Sequence, residues 1–156
     1  HTANRRQRQM CIRDSSKPDK LLFSFHGIPE SYIGDDEPYQ KECLNTAHLI
    51  AQELKLSKTE YEIAFQSRFG KAEWIKPYLS SRLEELPKEG VKNLHVFCPG
   101  FSSDCLETID EIGRESKEDY FEHGGEEFTF IPCLNSDEQF IKALMDIQAT
   151  PDTKLL

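Results

Sequence analysis

From Lys20 onward the chain switches between two hydrophobic periods. LLFSF (21–25), YEIAF (61–65), NLHVF (93–97) and EFTFI (127–131) are short apolar or aromatic runs bounded by Gly and Pro, which predicts strands. Between them, apolar residues recur at helical intervals. Pro38–Leu54 carries Leu44, Ala47, Leu49, Ile50 and Leu54, and Trp74–Leu86 carries Ile75, Tyr78, Leu79, Leu83 and Leu86. Leu106 to about Phe121 carries Ile109, Ile112, Tyr120 and Phe121. A last helix is predicted over Ser136–Ile147, opened by Ser136 and Gln139 at capping-box spacing. Strict β-α alternation with helices of this length implies right-handed crossovers. The predicted fold class is α/β: a doubly wound, four-stranded parallel sheet with helices on both faces, a flavodoxin- or Rossmann-type unit.

At 156 residues the chain has room for one domain. We assign residues 17–150 to it. Residues 1–16, HTANRRQRQMCIRDSS, have almost no apolar content and no period, so they are set aside as an unstructured or foreign arm. Residues 151–156 are a tail. Hydrophobic residues at 37% and ten Phe exclude a disordered chain, and no apolar run is long enough to span a membrane. The net charge is −9, but the first twenty residues hold six basic side chains against two acidic ones. The body therefore carries −13, which argues against nucleic acid as partner and suits a site that handles cations. Five cysteines, an odd number with no CxxC pair, point to buried thiols in a reducing, cytoplasmic setting.

In open parallel sheets, ligands gather at the carboxyl ends of the strands. That rule selects His26-Gly27 after the first strand and Gln66-Ser67-Arg68 after the second. It also selects Asp104 to Glu107 after the third, and Asn135 after the fourth. His26 suits a general base or metal ligand, or an ordinary loop histidine; His48, His95 and His123 are read as structural. Asp104, Glu107 and Glu111, three and four apart, fall within an arc of about 60° at 100° per residue. Such a stripe passes protons or cations, or else Asp104 and Glu107 merely form a capping box. Arg68 could meet an anion or pair with the acidic surface; no phosphate-loop motif is present. Phe69, Trp74 and Phe101 are expected in the core or a cleft wall.

The same stretches carry a family resemblance. Leu22–Pro29, Phe65–Gly70 with Trp74 and Pro77-Tyr78, and Cys98–Phe101 are three of its blocks. Ser103–Ile112, Gly124-Gly125 and Ile131–Asn135 are the others, in order. Together they resemble the C-terminal half of ferrochelatase, over roughly Leu21–Ile147. The resemblance implies insertion of ferrous iron into a porphyrin to form haem. It places the family's invariant histidine on His26 and its metal-site glutamate on Glu107, as catalytic and metal-binding residues. The family's acidic face falls on Asp104 and Glu111, as a proton or metal relay. Iron is then a substrate, with no permanently bound cofactor, and the cysteines lack the cluster that would hold a [2Fe–2S] centre. The family's N-terminal domain has no counterpart here, so the implied partners are porphyrin, ferrous iron and that missing domain. A fragment inactive alone is expected, without a transmembrane segment but with room for peripheral membrane contact. The alternatives are a chelatase for another tetrapyrrole, cobalt or sirohydrochlorin, and a non-enzymatic module binding a metal or anion.

Overall fold

The structure, a computed structural model, describes residues 17–34 and 37–149; the arm over 1–16 and the tail over 151–156 lie outside the described residues. Four strands, β1 (Lys20–His26), β2 (Tyr61–Gln66), β3 (Asn93–Phe97) and β4 (Glu127–Ile131), form one sheet in the order β2-β1-β3-β4. Every pairing is parallel, as the alternation predicts. The order makes β1 and β3 neighbours, so the chain leaves them toward opposite flanks of the sheet. In open α/β sheets such a switch point is where ligands gather.

The two faces bury different chemistry. Leu21, Phe23, Phe25, Phe65, Phe97 and Ile131 face α1 (Tyr39–Glu53). This aromatic layer leaves little depth for helix side chains. The buried stripe of α1 is accordingly Cys43, Ala47 and Ala51, four apart, while the predicted core residues Leu44 and Leu49 are exposed. Leu22, Ala64, Leu94, Val96, Cys98 and Phe128 face α2 (Leu79–Glu85), a π-helix (Glu107–Ser116) and its continuation α3 (Lys117–Glu122). Tyr120 plugs this second core, its hydroxyl donating to the Val91 carbonyl at 2.9 Å. A Cβ on Gly125 would lie 2.1 Å from the Tyr120 ring, so only glycine fits beneath it.

Three element boundaries depart from expectation. The helix predicted from Trp74 begins at Leu79. Pro77 lacks an N–H and pushes Lys76 toward extended backbone. Trp74 instead bridges Pro29, and the Ile75 N–H donates to the Ile28 carbonyl at 3.0 Å. The last helix, α4 (Glu138–Gln148), is capped by Asp137 rather than Ser136: the Asp137 carboxylate accepts from the N–H groups of Gln139 and Phe140. The helix predicted over Leu106–Phe121 is a π-helix through its first ten residues. Hydrogen bonds reaching back five residues widen each turn, so angles reckoned at 100° per residue do not apply there.

Candidate functional site

β1 ends at His26, half-buried at the carboxyl edge on the same sheet face as Ser24, Gln66 and the π-helix. Its Nδ1 lies 2.6 Å from the Gly27 carbonyl. A carbonyl only accepts, so Nδ1 donates here, and Nε2 is the ring position left for another partner. Gly27 is required by close approach. Its N–H donates to the Gln66 carbonyl at 2.8 Å, and a Cβ there would lie 2.9 Å from that oxygen and 3.1 Å from Trp74. The Tyr39 hydroxyl donates to the His26 carbonyl at 2.7 Å and ties the strand end to α1.

Glu107 opens the π-helix. Its own backbone N–H holds its carboxyl below the ordinary carboxylate range, aided by Cys105 and then by the charge of His26. His26 and Glu107 stand at the same carboxyl edge, one at the end of β1 and the other at the start of the π-helix. They share no hydrogen bond or direct ion pair. The capping box is not formed. The Asp104 N–H donates to Asn135 Oδ1 at 2.8 Å, while its carboxylate accepts from the Cys133 N–H at 2.9 Å and Asn135 Nδ2 at 2.7 Å. Burial pushes the Asp104 carboxyl up, but these donors outweigh it and its pKa falls below the ordinary value.

Glu111 accepts from Ser67 twice, at 2.6 Å from the N–H and 2.6 Å from Oγ. Ser67 takes the left-handed conformation, φ 63°, uncommon for a residue with a Cβ, and the Glu111 carboxylate holds it there. The three carboxylates expected along one stripe thus take separate partners. Asp104 is engaged by the β4 loop, Glu107 by its own helix start, and Glu111 by the end of β2. Among the described residues no three His, Cys, Asp or Glu side chains are gathered as a preformed metal site.

The Arg68 guanidinium lies 4.5 Å from the Tyr78 ring centre, and, after the Tyr78 hydrogen bond and Lys76, its charge helps hold the Glu73 carboxyl below its ordinary value. Trp74 is buried, whereas Phe69, expected in the core or a cleft wall, is exposed and packs edge-on against Trp74 at 5.0 Å. Leu106 and Ile109 are also exposed at the start of the π-helix. Trp74, its ring centre 6.5 Å from that of His26, and Phe69 upon it give this edge an apolar side. Behind Glu111 a cleft of about 310 Å³ opens between β2, α2 and the π-helix. Glu115 and Asp119 continue the acidic wall beyond Glu111. The spacing of Glu111, Glu115 and Asp119 was the available signal for them in the sequence. Gln66, selected by its place at a strand end, is buried at the centre of the site.

A parallel sheet in this order, with a histidine and a glutamate at its carboxyl edge, defines a chelatase-like α/β domain. The fold is shared with the crystal structure of a cobalamin (vitamin B12) biosynthesis CbiX protein from Marinobacter aquaeolei VT8 (TM-score 0.55, 14% identity). That likeness covers 85% of this chain and 95% of that one. Sequence comparison is more specific. The Ferrochelatase family model matches residues 2–150, and the chain belongs to that family. The ferrochelatase of Janthinobacterium sp. (strain Marseille) is 49% identical over 133 residues, which cover 85% of this chain and 36% of that protein. That of Hydrogenovibrio crunogenus is 51% identical over 134 residues, covering 86% of this chain and 35% of that protein. The chain thus spans little more than a third of the length of these curated relatives.

Proposed function

We propose that this chain is the part of a ferrochelatase that receives iron and takes up protons as ferrous iron enters a porphyrin, the lyase step that forms haem. The observation that carries the reading is the His26–Glu107 edge. With Nδ1 donating to the Gly27 carbonyl, Nε2 of His26 is the ring position left for a proton or a metal, and Glu107 opens the π-helix at the same sheet edge. Metal insertion requires the two pyrrole N–H protons to leave as Fe(II) binds the four ring nitrogens, with no change of iron oxidation state. Nε2 of His26 accepts one proton or holds the incoming cation, and the Glu107 carboxylate accepts the second or shares the metal. Glu111 carries protons or cations onward toward the acidic cleft. Asp104 fixes the β4 loop at the head of the π-helix and adds its negative charge. The exposed Phe69, Leu106 and Ile109 offer an apolar rim to a flat macrocycle.

The partner that completes the porphyrin cleft is the N-terminal domain of the same polypeptide. Two features support it: the chain covers only 36% of a typical relative, and α4 has no buried residue while exposing Ile141, Leu144, Met145 and Ile147. We place the reaction in the cytoplasm, in keeping with the free cysteines. Among the described residues no helix is long and apolar enough to cross a membrane.

The test is metal insertion by the polypeptide joined to its N-terminal domain. His26→Ala and Glu107→Gln are each expected to cut turnover about a hundredfold or more, the scale of a lost acid–base group. Glu111→Gln should cost less, because water can bypass one relay group. Near-normal turnover in His26→Ala refutes the mechanism.

A further inference from the structure

Gln66 is 2% exposed, yet every hydrogen-bonding position of its side-chain amide is used. Oε1 accepts from Ser24 Oγ at 2.7 Å and from Cys98 Sγ at 3.5 Å. Nε2 donates to the Glu107 backbone carbonyl at 3.2 Å and, at the longer distance of 3.5 Å, to Glu111 Oε2. The main chain of the same residue works in the other direction. Gln66 is the register partner of His26, and its carbonyl takes the Gly27 N–H at 2.8 Å. Gly27 in turn holds His26 Nδ1.

A single residue therefore grips both halves of the proposed site, His26 through its backbone and Glu107 through its side chain. We infer that Gln66 is a positioning residue, setting where the π-helix sits along the sheet edge and so the separation of Glu107 from His26. The inference rests on the functional reading above. An amide suits the task because it is uncharged, so it can be buried without a counter-ion, and it offers donors and acceptors on opposite sides. A hydrocarbon of similar size would fill the space while leaving the Glu107 carbonyl and the Ser24 hydroxyl without these partners. The second attachment of the π-helix, Glu111 on Ser67, grips the next residue of the same strand end. The start of the helix is thus fastened to the end of β2 at two adjacent residues, and removing the Gln66 amide takes away the one that bonds the Glu107 carbonyl.

The experiment is a Co(II) titration of the chain, read by calorimetry and by the visible spectrum of the bound ion, with thermal unfolding alongside. Co(II) stands in for Fe(II) and reports its ligand geometry directly. His26→Ala and Glu107→Gln are expected to weaken binding at least tenfold. Gln66→Leu, which touches no proposed ligand side chain, is expected to weaken it about ten- to a hundredfold and to change the spectrum, the usual scale for groups that orient ligands. Ser24→Ala removes one bond to the same amide but leaves both Nε2 bonds. It should lower Tm while keeping Co(II) affinity within twofold, which separates positioning from a general loss of stability. Should Gln66→Leu fail to fold, Gln66→Met carries the same readout, since its unbranched, uncharged side chain fills the space and removes both Nε2 bonds. Wild-type affinity and spectrum in the Gln66 variants, with binding lost in His26→Ala and Glu107→Gln, overturns the positioning role alone. Wild-type affinity in His26→Ala and Glu107→Gln overturns the reading of the site and this inference with it.

Discussion

Replacing Asp104 by Ala tests whether this carboxylate works as a strut between two loops. The substitution removes two charge-assisted hydrogen bonds, from the Cys133 N–H and from Asn135 Nδ2. Cys133 is buried, so its N–H is left without this acceptor at a cost of about 1–3 kcal/mol. Asn135 is exposed, water replaces its lost bond, and that contribution is about 0–1 kcal/mol. The expected destabilisation is about 1–4 kcal/mol, which for a domain of this size lowers Tm by about 2–16 °C. The pH dependence follows from the direction of the shift. Because the folded carboxyl titrates below its unfolded value of 3.8, ionised Asp104 stabilises the fold fully above that pH. The contribution is lost as pH falls through the lower folded pKa. Urea unfolding of both proteins at pH 7 and at several values down to about 2 gives the difference directly. It should be largest and flat near neutrality and should shrink on acidification. A difference under about 0.5 kcal/mol at pH 7, or one that grows as pH falls, refutes the strut.

Gly27→Ala forces a Cβ to within 2.9 Å of the Gln66 carbonyl, so we expect a loss of more than about 2 kcal/mol in chemical denaturation together with weakened Co(II) binding at His26. Tyr120→Phe should cost about 1 kcal/mol, one buried hydrogen bond to the Val91 carbonyl, with no change in metal affinity. Among the described cysteines, only Cys105 is partly exposed; Cys43, Cys98 and Cys133 are buried, and burial pushes the Cys133 thiol up to about 12. Brief alkylation of the folded chain, mapped by mass spectrometry, should modify Cys105 well before those three.

Periodicity and local chemistry alone determined much of this protein. The four strands, their parallel sense and the presence of helices between them follow from alternating runs, because the side-chain period of a strand or helix is a property of the local backbone. The placement of His26 and Glu107 at the carboxyl edge was legible for a similar reason, because both follow strand ends whose position local chain order sets. Tertiary structure decided the rest. Which face of α1 is buried depended on the depth of the Phe23, Phe25, Phe65 and Phe97 layer, so small residues won over Leu44 and Leu49. The capping box expected between Asp104 and Glu107 lost to the β4 loop, whose Cys133 and Asn135 lie 29 and 31 residues away in sequence. The wider turn of the π-helix displaced the angular arithmetic that placed three acids on one stripe. The strand-end rule reached Gln66 only as part of a loop, and nothing local marked its side chain as a bridge. A buried amide is defined by its partners, and here those come from β1, β3 and the π-helix, brought together only when the sheet closes in the order β2-β1-β3-β4.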